Sequence, residues 1–195
     1  MSVLSLGKLS LGKDGARKNP VVQTHLLPQA FKGFAGNDCI HVLDAGVGKP
    51  GTLEFLNQFP VKIYFLDLSA AIYKDADVEA IASALDDYHD VVFDVCLLWD
   101  VLHRLDGPQL ATLSMTLEPH IYSETKMHSI CQFAAPDEVC DFRIQGTEQF
   151  ESIRTKPRKY QKWSYTQFTK LFPCARIMAD QQFPDGRLEM LLTTE

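Results

Sequence analysis

No apolar run in the 195 residues is long enough to span a bilayer, so a helical membrane protein is not expected. No basic segment precedes the leucines of residues 1–13, and Lys8 interrupts them. That argues against a secretory signal, and a cytoplasmic protein is expected. No two of the five cysteines (Cys39, Cys96, Cys131, Cys140, Cys174) are spaced Cys-x-x-Cys, which removes a zinc knuckle and a thioredoxin-like motif. Reduced thiols are the plain expectation, and nothing positive points to a metal. Neither a Ser-His-Asp nor a His-Glu-x-x-His signature is present. Positive charge is in deficit: 19 Lys and Arg against 25 Asp and Glu leave a net charge of −6, which argues against general nucleic-acid binding.

What is there is an ordinary globular composition, 46% apolar and 23% charged, at a length that suits one domain with a proper core. Residues 4–8 and 9–13 repeat Leu-Ser-Leu-Gly-Lys, too short for a solenoid, and read as an edge strand, a docking arm or a mobile tail. Residues 12–20 look like a linker. Leu26, Leu27, Phe31 and Phe34 are spaced for a helix or an irregular cap, broken by Pro28. The division expected is an N-terminal arm and cap over residues 1–37 and a single domain over 38–195.

Within that domain strands and helices alternate. An apolar strand runs through His41-Val42-Leu43-Asp44 into the turn Gly46-Val47-Gly48. Pro50 suits a first helical position, and Leu53, Leu56 and Phe59 mark a buried face ended by Pro60. A second strand, Val61 to Leu66, ends in Asp67, and Ser69 is a candidate cap. Val78, Ile81, Leu85 and Tyr88 recur at helical spacing. Val91 to Trp99 reads as a strand buried on both faces. A helix over 108–117, a strand over 127–133, a polar irregular stretch over 135–163 and a helix over 164–172 follow. Strands over 175–183 and 187–193, joined by Pro184-Asp185-Gly186, close the chain as a hairpin. The expected fold is an α/β sandwich with a mostly parallel sheet and a C-terminal antiparallel hairpin.

The turn carries the functional signal. Glycines after a parallel strand let backbone approach a ligand, and a carboxylate ending the next strand can accept hydrogen bonds from two ribose hydroxyls. An adenosine-containing ligand is therefore expected. Gly46-Val47-Gly48-Lys49-Pro50-Gly51 formally satisfies the Gly-x-Gly-x-x-Gly dinucleotide fingerprint. Asp44, two residues before the first glycine, and the small room left for a substrate domain argue against a nicotinamide oxidoreductase. The bland alternative is that the glycines serve only to pack a helix on the sheet.

Asp44-x-Gly46-x-Gly48, with an acid closing the next strand, resembles the first two motifs of class I S-adenosylmethionine-dependent methyltransferases. Phe93-Asp94 followed by an apolar run and Asp100-Val101-Leu102-His103-Arg104-Leu105 is similar to that family's fourth-strand motif. Leu110-x-x-Leu113-x-x-x-Leu117-Glu118-Pro119 is similar to the segment leading into its fifth strand. The likeness extends over about residues 38–195 in element order, as a Rossmann-like methyltransferase sandwich. The departures are a third glycine displaced to Gly51, Lys49 near a cationic donor, His120-Ile121-Tyr122 after Pro119, and a short interval from Asp67 to Val91 that leaves the third strand abbreviated or missing.

The resemblance implies roles residue by residue. Asp44 would hold the turn or the cofactor's amino-acid portion, and Gly46 and Gly48 would let backbone approach it. Asp67 would bind the ribose, and Asp86 (or Asp87) would reach the adenine. Trp99 and Asp100 would face the methyl group, and His103 is the best-placed general base, ahead of His120 and His128. Trp99 as core and His103 as a helix-surface residue are the alternatives. Arg154, Lys156, Arg158, Lys159 and Lys162, with Tyr160 and Trp163, form a basic run: a solvated loop, a segment over the acceptor site, or a nucleic-acid contact. The function implied is S-adenosylmethionine-dependent methyl transfer to a small molecule. The alternative is a silent methyltransferase-like domain that binds a protein partner, or a second copy of itself, through the N-terminal arm.

Overall fold

The computed structural model describes residues 21–34, 39–46, 48–66, 68, 78–99, 101–131, 139–146, 148–155, 161–184 and 186–194. The tandem repeat, the linker, Asp67, Ser69, Asp100 and most of the basic run lie outside them. In chain order the elements are β1 (Val21–Gln23), α1 (Leu27–Ala30), β2 (Ile40–Asp44), α2 (Pro50–Leu56), β3 (Val61–Phe65), α3 (Val78–Ala82), β4 (Val95–Leu97), α4 (Gly107–Leu117), β5 (Lys126–Cys131), β6 (Val139–Gly146), β7 (Gln149–Thr155), α5 (Tyr165–Leu171), β8 (Arg176–Gln182) and β9 (Leu188–Thr193).

A six-stranded sheet runs in the order β3-β2-β4-β5-β9-β8. β3, β2, β4 and β5 are parallel, while β9 is antiparallel to β5 and β8 to β9. This is the α/β sandwich with a closing hairpin expected from the sequence. Gly186 occupies the hairpin turn at φ +85°, a left-handed conformation that glycine adopts without strain. Among the described residues no strand flanks β3 on its outer side, in keeping with the short interval after Asp67.

Alternation along the strands sends side chains to two cores. Leu43, Tyr64, Cys96, Leu98, Met127 and Met190 face α3, α4 and α5. Ile40, Val42, Val95, Leu97, Ile130 and Leu191 face α1, α2 and a second sheet. That second sheet, β1-β7-β6, is antiparallel throughout. It replaces the irregular stretch expected over 135–163. Its polar alternation hides two anchors, Ile144 and Phe150, which are buried against the main sheet.

Other boundaries shift for local reasons. The strand expected over 91–99 is paired only at Val95–Leu97, although Phe93, Leu98 and Trp99 are buried beside it. The helix from Val78 stops at Ala82 and resumes as a 3-10 turn at Asp86–Tyr88, keeping Ile81 and Leu85 on the core side. Leu53 is exposed; Phe55 and Leu56 form the buried face of α2. Pro28 sits in the first turn of α1 and begins it rather than breaking it, since proline there forfeits no intrahelical bond. Asp106 caps α4 in a reciprocal box with Gln109, at 3.0 and 2.8 Å, and Ser164 does the same for α5 with Gln167.

Phe150 ties the second sheet to the first: its ring lies 5.5 Å from Trp99 and 6.4 Å from Phe183, edge-on to both. Phe150→Ala is expected to destabilise the whole fold by about 3–5 kcal/mol, since a fully buried ring is lost together with its contacts to the main sheet. Chemical denaturation monitored by near- and far-UV circular dichroism checks it. Loss of the small sheet's signal without a shift of the main transition would show the two sheets to be independent.

Candidate functional site

Strand order reverses at β2. The chain passes from β2 outward to β3 and then returns to place β4 on the other side of β2. In open α/β sheets ligands occupy the crevice at the carboxyl ends of strands flanking such a reversal, because the following loops diverge there. The turn after β2 and the segment after β4 flank this one. Backbone bonds hold the three strand ends level: Ala45 N–H donates to the Leu97 carbonyl at 3.0 Å and Leu66 N–H to the Asp44 carbonyl at 2.8 Å. β2 and β3 are parallel and end level, so the glycine turn and the end of β3 share one edge of the sheet.

Asp44 is buried and shapes the turn. Its Oδ1 accepts the Gly46 N–H at 2.9 Å, and a Cβ on Gly46 would stand 3.2 Å from that same oxygen. Burial raises the Asp44 carboxyl above its usual range; the Gly46 N–H and the nearby Lys49 cation work against that rise. The Lys49 charge is thus felt at Asp44. Gly48 is exposed, and its missing side chain has a different use. A Cβ there would lie 2.6 Å from Phe65 Cε1, so the ring of Phe65 packs directly on the turn backbone. Phe65 itself remains 40% exposed beside it.

The other candidates separate. Asp86 is exposed at the start of its 3-10 turn, and that turn is tied to the end of β3 by Tyr88, whose hydroxyl donates to the Phe65 carbonyl at 3.2 Å. Trp99 is buried, on the same face as Asp44 and one residue before Asp100. His103 is not on a helix face. It lies in a turn between β4 and α4, 4% exposed, and its carbonyl accepts the Gln161 N–H at 2.6 Å. Trp163 closes the same turn by donating its indole N–H to the Leu102 carbonyl at 3.3 Å.

Two motif residues prove structural. Asp94 sits at the opposite end of the sheet, where its carboxylate accepts the His41 N–H at 2.7 Å and the Tyr122 hydroxyl at 2.6 Å. Burial and then Asp94 push the Tyr122 phenol well above its ordinary value. His120 stacks on Phe93 and pairs its Nδ1 with the Val91 carbonyl at 2.8 Å, away from the strand ends.

Sequence reasoning passed over one constellation. His128 and Glu189 face each other at 2.8 Å with both side chains fully buried, and Trp99 donates its indole N–H to His128 Nδ1 at 2.5 Å. The legible signal was Glu189, a lone acid inside the apolar strand Leu188–Thr193. Among the described residues no group of three or more His, Cys, Asp or Glu gathers for a metal, and no helix is long and apolar enough to cross a membrane.

The turn leaves backbone within reach of a ligand at the strand ends. Gly48 is exposed and Gly46 half-buried, and the end of β3 is alongside. No family model matches the sequence, and no curated protein is detectably similar to it. Solved structures do share the fold. The PH0226 protein from Pyrococcus horikoshii OT3 superposes with a TM-score of 0.53 at 13% identity, over 87% of this chain and 88% of that one. The glycopeptide N-methyltransferase MtfA, solved with S-adenosyl-L-methionine, gives 0.48 at 12% identity over 88% and 95%. The mitomycin 7-O-methyltransferase MmcR gives 0.47 at 14% identity, and the chain spans only 54% of its length. At 13% identity the likeness to the PH0226 protein is one of fold alone.

Two outcomes are expected of the turn. Gly48→Ala should cost about 1–3 kcal/mol by forcing the Phe65 ring aside, and the cost should nearly vanish in a Phe65→Ala background; thermal unfolding of the four variants measures the coupling. Asp44→Ala should cost about 1–3 kcal/mol through the unpaired Gly46 N–H, whereas Asp44→Asn keeps an acceptor there. Because the folded carboxyl titrates above the unfolded one, ionising it opposes folding as pH rises. Asp44→Asn should accordingly match or exceed wild-type stability at pH 7 and lose that advantage below about pH 4, as read by urea unfolding across pH.

Proposed function

We propose that the chain is an S-adenosylmethionine-dependent methyltransferase acting on a small-molecule acceptor. One observation carries the reading: the Asp44-capped glycine turn stands at the strand-order reversal, open to solvent, with the end of β3 paired beside it. The motif resemblance over Phe93 to Asp106 supports it independently, since Trp99 brings that segment to the same edge of the sheet.

S-adenosylmethionine supplies an already activated methyl group, so the protein's task is orientation, which can lower a barrier by about 7–11 kcal/mol. In this reading the backbone at Gly46 and Gly48 admits the donor. Asp67 takes the ribose hydroxyls, and Asp86 approaches the adenine from the 3-10 turn held to β3 by Tyr88. Trp99 and Asp100 close the methyl end. Phe65, packed on Gly48, braces the turn between the two subsites. Where the acceptor carries a hydroxyl or ammonium, His103 takes its proton. That role requires the buried imidazole to become accessible to the acceptor.

The burial of His103 also favours a second reading, a methyltransferase-like domain that keeps the fold and binds a partner without catalysing. The two diverge on the donor. Isothermal titration with S-adenosylhomocysteine should give saturable binding, weakened at least about tenfold by Asp67→Ala and by Gly46→Val. No heat at millimolar ligand would leave the silent domain as the better account.

A further inference from the structure

The buried chain behind Trp99 is polarised in one direction. Leu27 N–H donates to Thr24 Oγ1 at 3.2 Å, and the Thr24 hydroxyl donates to Glu189 Oε1. His25 N–H reaches Glu189 Oε2 at 3.4 Å, and His128 Nε2 meets Oε1 at 2.8 Å. On the far side of the imidazole stands the Trp99 indole. An indole N–H only donates, so His128 Nδ1 must accept, and the single ring proton resides on Nε2, aimed at the carboxylate. A second proton on Nδ1 would set two N–H groups against each other. Burial pushes the Glu189 carboxyl up, yet His128, Thr24 and the His25 N–H outweigh it and hold the group below its ordinary value. Glu189 is thus an anion anchored by three donors.

The chain ends at the site. Trp99 stands two residues past β4 on the face shared with Asp44, and its ring meets those of His128, at 5.7 Å, and Phe150, at 5.5 Å. Apolar packing alone leaves an indole free to slide or flip within its slot; a directed N–H bond removes that freedom. The next residue, Asp100, belongs to the segment assigned above to the methyl end of the donor.

We propose that His128, locked in its Nε2–H form by Glu189, is a positioning residue: it fixes the Trp99 indole and thereby the β4 end of the donor site. This rests on the methyl-donor reading of that site. His128 touches no ligand, and it acts solely through the bond to Trp99.

Three measurements on the full chain test it. Side-chain 15N spectra at neutral pH should show His128 protonated at Nε2 and bare at Nδ1; a proton on Nδ1 overturns the proposal. His128→Asn retains an acceptor near the Nδ1 position and should keep S-adenosylhomocysteine affinity close to wild type. His128→Gln reaches toward Glu189 instead, abandons the indole, and should weaken binding ~10-fold. The reverse ranking would show that the Glu189 contact is what matters. In a Trp99→Phe background the His128→Gln loss should disappear, because the bond it breaks is already gone; additive losses would mark a generic structural role and overturn the inference. Should His128→Gln fail to fold, the tautomer and the His128→Asn result still decide. Wild-type protein that does not bind S-adenosylhomocysteine would instead sink the methyl-donor reading itself, an outcome distinct from binding with an additive cycle.

Discussion

Everything at the carboxyl edge of the sheet depends on β2 being paired in parallel on both sides. It pairs with β3 over Ile40–Asp44 and with β4 over Val42–Asp44, and Ala45 N–H still reaches the Leu97 carbonyl, so Gly46 is the first residue past the ladder. Asp44 makes the turn there possible by taking the first orphan N–H, at Gly46. The cost is a carboxylate buried at the end of a strand. The Gly46 N–H and then the Lys49 charge partly offset it. The two glycines stand at the reversal in strand order, where the loops of such sheets diverge.

The two glycines answer to different constraints. Gly46 is required by the closeness of its own strand's carboxylate, Gly48 by the ring of Phe65 on the neighbouring strand. A nearby carboxylate and a neighbouring strand's ring make the same demand for a missing Cβ, and here both operate within three residues. The packing explanation and the functional one are therefore not exclusive: the ring that fills the space behind Gly48 also braces the turn whose other side faces solvent.

The second sheet changes how the β4 end is supported. With Phe150 over Trp99 and β1 paired to β7, residues 21–24 and 148–155 are joined to the core that lies beneath the site. Thr24 reaches Glu189 across 165 positions of chain, so the first described strand and the last are linked through a single carboxylate. A buried anion is tolerated there because every donor around it is aimed inward; an apolar substitute would fill the volume but would leave the Trp99 N–H undirected.

Local order was legible because it is written in short-range chemistry. β2, α2, α4, α5 and the terminal hairpin follow from apolar runs, Pro50, Asp106, Ser164 and Gly186, each of which acts within a few residues of itself. The hairpin β6–β7 was illegible because its polar alternation resembles a loop until Phe150 and Ile144 meet a face that other strands supply. Asp94 carried a functional-looking motif yet serves the opposite end of the sheet, since spacing along one strand does not say which end faces a ligand. Periodicity and turn residues thus determined the elements and the parallel α/β class. The partnership of Trp99, His128 and Glu189, the burial of His103 and the pairing of Phe65 with Gly48 were decided only by tertiary packing, because each joins side chains from separate strands or segments whose encounter no local pattern encodes.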